Sequence, residues 1–165
     1  IKIDIKKTKN KIIMAFPNIF TKEVSDEVIQ RINNLKPDTK PVWGKMNASQ
    51  MLAHCNVPYE FVFENIHKKP NALMKFIIKL VAKNKIVGEE AFGRNLKTGP
   101  QFIIADSKNF ESEKLRLINY INKTQQLGEN EFENKESATL GVLTKTEWNN
   151  MFYKHLDHHL MQFGV

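Results

Sequence analysis

Three of the five histidines in this 165-residue chain fall within five positions, in the run His155-Leu156-Asp157-His158-His159. His155 and His159 are spaced i, i+4, which puts them one turn apart on one face of a helix. A fourth, His54, lies far upstream in another apolar-periodic segment. Neutral imidazole suits Zn, Ni, Cu or Fe, and an i, i+4 pair supplies two ligands from a single helix. With His54 as the third, the set would hold one divalent metal and leave at least one position open, as in catalytic rather than structural sites. An open position acidifies a bound water or thiol and so supplies a nucleophile near neutral pH. The same residues also have plainer readings. A buried histidine is commonly a hydrogen-bonded core residue, and an i, i+4 pair arises by chance.

The last helix must aim two of these rings. With His155 at zero and a rotation of about 100° per residue, His159 falls at about +40°, Trp148 at about +20°, Gln162 at about −20° and His158 at about −60°. Phe152, Leu156 and Phe163 mark the core side, while Lys154 and Asp157 point to solvent and His158 sits at the rim. On the His54 helix, Gln50, Val57, Pro58 and Phe61 share the ligand's face. Gln50 and Gln162 are candidates for orienting ligands or substrate; Pro58, Phe61 and Trp148 complete the candidate lining. Pro58 crowds the carbonyl of His54, so a kink or loosened turn is expected there, which either improves packing or helps aim the ring. Cys55 lies about 100° round from His54 and reads as core. His67 and His158 read as surface residues. A general base is missing: Glu60 and Glu64 lie off the His54 face, and Asp157 points outward.

Helical periodicity accounts for most of the chain. Thr21 or Ser25 caps a first helix striped by Val24, Val28, Ile29, Ile32 and Leu35. Pro37 and Pro41 close it off, and Asn47 with Gln50 forms a capping box opening a helix over roughly 48–66. The segment 71–86 is apolar on most sides, with Lys75, Lys79 and Lys83 in one stripe; it is expected to pack into the core with its lysines reaching to water. Gly88, Gly93, Gly99 and Pro100 punctuate a long crossover whose Phe92, Phe102, Ile103 and Ile104 pin it to the body. Asp106 or Ser107 caps a helix over roughly 108–127 that ends at Gly128. Thr144 and Glu147 form a second capping box for the last helix. No strand-like alternation of useful length is present. The expected architecture is all-α: a four-helix bundle with a long crossover and an accessory helix.

The net charge of +7 raises nucleic acid as a partner, but its distribution argues against one. Lys2, Lys6, Lys7, Lys9 and Lys11 precede Met14 against Asp4 alone, and supply more than half the excess. Residues 1–13 therefore read as a basic extension, non-native or disordered, before one domain over 14–165. A single cysteine excludes an internal disulfide and suits a reducing compartment. No apolar run approaches the roughly 20 residues of a membrane span. Neither nucleic acid nor membrane is expected as a partner, and the cytoplasm is the expected location.

The segments Trp43-Gly44-Lys45-Met46-Asn47-Ala48-Ser49-Gln50-Met51-Leu52-Ala53-His54-Cys55 and Tyr153-Lys154-His155-Leu156-Asp157-His158-His159-Leu160-Met161-Gln162-Phe163-Gly164 resemble the DinB/YfiT-like superfamily, in particular an uncharacterised branch of small bacterial proteins. Its pattern is one histidine early in the second bundle helix and a His-x-x-x-His pair on the last, and His54, His155 and His159 match it one by one. The resemblance implies a four-helix bundle with a long crossover, a divalent metal (Zn, Ni or Fe) and frequent dimerisation. Characterised relatives include transferases using low-molecular-weight thiols and a thiol-dependent isomerase. The leading expectation is thus a metal-dependent S-transferase acting on a small electrophile. A metal-dependent hydrolase is the alternative enzyme, and a non-catalytic metal-binding stress-response module the alternative outside enzymes.

Overall fold

The computed structural model describes residues 16–64 and 66–165; the basic extension over residues 1–13 lies outside them. Five helices carry the fold: α1 (Lys22–Asn34), α2 (Ala48–Phe63), α3 (Ala72–Val87), α4 (Phe110–Leu127) and α5 (Lys145–Gln162). The described residues are all-α apart from a short antiparallel hairpin, β1 (Lys135–Ser137) with β2 (Gly141–Leu143), in which Lys135 pairs with Leu143 and Ser137 with Gly141. That hairpin occupies a stretch read from sequence as a polar link and a short apolar approach.

Each helix opens on a side-chain oxygen that accepts a backbone N–H of its first turn: Thr21, Asn47, Asn71, Asn109 and Thr144. Both capping boxes form. The start of α4 moves to Asn109 from the expected Asp106 or Ser107, and its end is Gly128, whose φ of 75° favours glycine. α2 ends at Phe63 and runs unbroken through Pro58.

α2 packs on α4 and α5, α1 on the same two helices, and α3 on α5. One buried cluster runs from Ile19 to Phe163. At its centre Tyr59 lies flat between Phe152, 4.7 Å away, and Tyr120, 5.7 Å away. Trp148 packs against Phe132 and Phe152, with its indole N–H donated to the Lys135 carbonyl. Asn149 fastens the lead-in to α5: it accepts from the Ile19 N–H at 2.8 Å and donates to the Pro17 carbonyl at 3.2 Å. Between α2 and α4, Arg116 bridges Glu60 at 2.5 Å and Glu113 at 2.9 Å, and Asn56 donates to Glu113. His67, expected at the surface, is half-buried with its Nε2 2.6 Å from Glu60.

α3 overturns the sequence expectation. Most of its apolar side chains face outward, with Leu73 70%, Leu80 68% and Val81 78% exposed and Met74, Phe76 and Ile77 also exposed, while Ile78, Ile86 and Val87 pack on the core. Its lysine stripe faces the body: Lys75 pairs with Glu136 on β1, Lys83 with Glu147 on α5, and the Lys79 chain lies against Gly141 on β2. Opposite charges on the hairpin and on the first turn of α5 decide the orientation. Lys154 is a second correction. It was expected in solvent but is buried, donating to the Lys85 carbonyl at 2.9 Å and the Gly88 carbonyl at 2.7 Å. The end of α3 and the start of the crossover cover it, and an ammonium there satisfies terminal carbonyls of the helix.

Candidate metal centre

His54 on α2 and His155 and His159 on α5 come together between the two helices, with one ligand atom from each lying within 4.8 Å of the others. The Nε2 atoms of His54 and His155 are 2.9 Å apart. The rings stand 4.5–4.9 Å from one another between centroids. His54 and His159 are buried and His155 half-buried. The sequence expectation that these three rings converge is met.

Their surroundings select the tautomers. His54 donates from Nδ1 to the Phe102 carbonyl at 2.8 Å, which leaves its Nε2 lone pair facing His155. His159 donates from Nδ1 to Gln162 Oε1 at 2.8 Å, which frees its Nε2 in the same way. Gln162 is itself held, because its amide N–H donates to the Trp43 carbonyl at 2.8 Å. Gly44 makes that approach feasible: a Cβ there would collide with the Gln162 amide, and the φ of 85° is one that glycine favours.

Burial also holds the rings in the ligating, neutral form. Desolvation, then the neighbouring His159 and His54 rings, pushes His155 well below the ordinary imidazole range. His159 falls to about 3, chiefly through burial and then through His54. His54 is lowered by burial, against the opposing pull of its bond to Phe102. Three neutral imidazoles, two of them with lone pairs directed by carbonyl partners, fit a divalent ion. Two nitrogens bound tetrahedrally to zinc lie about 3.3 Å apart, inside the 2.9 to 4.8 Å spanned here.

The remaining candidates divide. Gln162 touches a ligand. Gln50 does not: its Oε1 accepts the Asn47 N–H, so the capping box occupies it. Trp148 sits in the aromatic core with Phe132 and Phe152 and away from the rings, which corrects the helical-wheel placement. Phe61 stacks on Phe102, which in turn meets His54 and His155 edge-on, so it lies one ring out. Pro58 is buried in α2 one turn beyond His54. Cys55 is core, its thiol 3.7 Å from the Met51 sulfur and its acidity suppressed by burial. Asp157, expected in solvent, is half-buried and pairs with Arg31 on α1 at 2.8 Å. His158, read as surface, is half-buried with its ring edge-on to both Trp43 and Phe92.

Sequence reasoning missed Phe102 and Trp43 as site residues. Phe102 acts through its carbonyl, which no side-chain pattern reveals. Trp43 precedes Gly44 and the capping box, and that Trp-Gly pair was a legible signal.

The model of the family described as "Protein of unknown function (DUF1569)" matches residues 19–164. The chain belongs to the DUF1569 family. The match spans all three histidines of the centre together with Trp43 and Gln162. No curated protein and no solved structure matches the chain.

If Gln162 sets the His159 tautomer, Gln162→Ala is expected to weaken divalent-metal affinity about 10- to 100-fold, the usual cost of removing a ligand's hydrogen-bond partner. Competition against a chromophoric chelator at fixed pH measures this. Unchanged affinity would show that His159 needs no partner.

Proposed function

We propose that this chain is a divalent-metal-dependent enzyme whose ligands are His54, His155 and His159, with a thiol-dependent S-transfer to a small electrophile as its reaction. The observation that carries the metal reading is the convergence of three rings, two of them with Nδ1 tied to an oxygen and Nε2 freed toward the others. Zn, Ni and Fe all suit such a donor set. A divalent ion held there supplies Lewis acidity to a thiol or water in its open position. The chain's own part is to hold the ligands neutral, set the Phe102 ring edge-on against His54 and His155 and keep the cluster free of carboxylates, since only the three imidazoles make up the metal-binding group found among the described residues. A weakly charged, water-poor setting favours a polarisable sulfur nucleophile over a reaction that needs a carboxylate base.

The broader reading follows from the same features. We assign the chain to the DinB/YfiT-like group, as a four-helix bundle of α1, α2, α4 and α5 with α3 as the accessory helix and residues 14–165 as one domain. It takes a small-molecule substrate and a low-molecular-weight thiol, acts in the cytoplasm, and forms a homodimer through the bare face of α3. No helix among the described residues is long and apolar enough to cross a membrane.

Thiol-consumption assays test the reaction. Metal-loaded protein from a tag-free preparation should deplete a low-molecular-weight thiol in the presence of at least one electrophile from an alkylating panel, and chelation should stop it. Metal-dependent ester or amide cleavage without thiol use would replace transfer with hydrolysis. A loaded centre with neither turnover would leave a non-catalytic metal-binding module.

A further inference from the structure

The chain has three arginines. Arg31 is paired with Asp157 and donates to the Val165 carbonyl, and Arg116 is paired with Glu60 and Glu113. Arg94, on the crossover, has no carboxylate partner among the described residues. Its guanidinium carbon sits 4.3 Å from the centroid of the Trp43 ring. Stacking of this kind uses the flat face of the guanidinium and leaves its N–H edge available for a planar oxyanion. The turn that presents it includes Asn95, in the left-handed region at φ 57°.

Trp43 connects this cation to the centre. Its carbonyl holds Gln162, which holds His159. Its ring meets His158 edge-on at 5.8 Å, and His158 meets His159 at 5.0 Å. Phe92 closes on the far side of His158 at 5.8 Å, with the Lys154 ammonium 4.7 Å from its centroid adding positive potential on that side. The Trp43 indole N–H is buried and has no acceptor among the described residues.

We infer that Arg94 and Trp43 form a subsite for the anionic group, a carboxylate or a phosphate-type oxyanion, of a small molecule whose reacting end lies at the histidines, resting on the reading of the triad as a metal centre. Arg94 takes the oxyanion, the Trp43 ring supports the guanidinium from its face, and His158 separates the subsite from the ligands. The substrate or thiol at this centre is therefore an acid.

Two probes, acetate and methylphosphonate, titrated into the full-length zinc-loaded chain test this by the indole N–H resonances. The Trp43 signal should shift saturably, while the Trp148 signal, already bonded to the Lys135 carbonyl, stays in place. Arg94→Gln should weaken probe binding about tenfold or more, the scale of a lost charge-assisted pair. Lys97→Gln removes the same charge three residues along the crossover and should leave binding unchanged. Equal binding by wild type and Arg94→Gln, or a Trp43 signal that never moves, overturns the subsite. In the metal-free His159→Ala variant, an Arg94-dependent shift of Trp43 supports the subsite even if the metal reading fails.

Discussion

His159→Ala is expected to abolish stoichiometric divalent metal in the purified protein, while His158→Ala retains it. The two residues are adjacent, so the contrast isolates geometry from composition. His159 lies in the ligand cluster and has its Nδ1 fixed by Gln162. His158 packs edge-on between Trp43 and Phe92 and is outside that cluster. Loss of a direct ligand should exceed the roughly 10- to 100-fold penalty expected for a supporting residue. The metal-free fold should survive the change. Its main cost is a buried Gln162 oxygen left without a donor, about 1–3 kcal/mol. Elemental analysis of tag-free protein, with circular dichroism as the control for folding, reads both outcomes. Retention of a full equivalent of metal by His159→Ala would end the three-histidine assignment.

The second large effect concerns assembly: if the proposed α3-mediated dimer forms, Val81→Glu is expected to convert it into a monomer. Leu73, Met74, Phe76, Ile77, Leu80 and Val81 are all exposed on α3. At about 150–200 Å² for a large apolar side chain, their free surface comes to roughly 600 Å² per copy, or about 1,200 Å² for a symmetric pair, which reaches the range of specific interfaces. Charge favours a second copy over a lipid surface. An interfacial helix displays cations beside its apolar face for anionic headgroups, whereas here Lys75 and Lys83 are turned inward and paired with Glu136 and Glu147. The outward face keeps one exposed cation, Lys85 one turn beyond Val81, at the end of the apolar patch, and a two-fold axis would make the patch its own complement. A carboxylate at position 81 would be buried unpaired in that interface. Sedimentation velocity at micromolar concentration decides the matter. A wild type that sediments as a monomer removes the dimer.

What could be read beforehand depended on how local the governing forces were. Helix starts followed from a side-chain oxygen and the residue three positions on, and both capping boxes formed where Asn47 and Thr144 placed them. The ligand pair followed from helical periodicity, and His54 from its apolar face. α3 was misread because its orientation is set by acids distant in sequence, at positions 136 and 147, and not by its own composition. Lys154 was misread for the same reason, since its partners are carbonyls 66 and 69 residues away. Trp148 satisfied the angular criterion for the site but lies about two turns before His155, and a helical wheel discards that axial distance. Phe102 enters through its main chain, where residue type carries little information.

The pairing of His54 with His155 spans 101 residues, and that of Trp43 with Gln162 spans 119. An unfolded chain retains at best the local His155 and His159 pair, because the third ring arrives only when a loop of that length has closed. A divalent ion would therefore discriminate strongly between folded and unfolded chains, and at a hundred times its dissociation constant would add about 2.7 kcal/mol to stability. Metal supply would then set how long the protein persists in a cell as well as what it does there. A starved population would unfold more often and be cleared by proteolysis first.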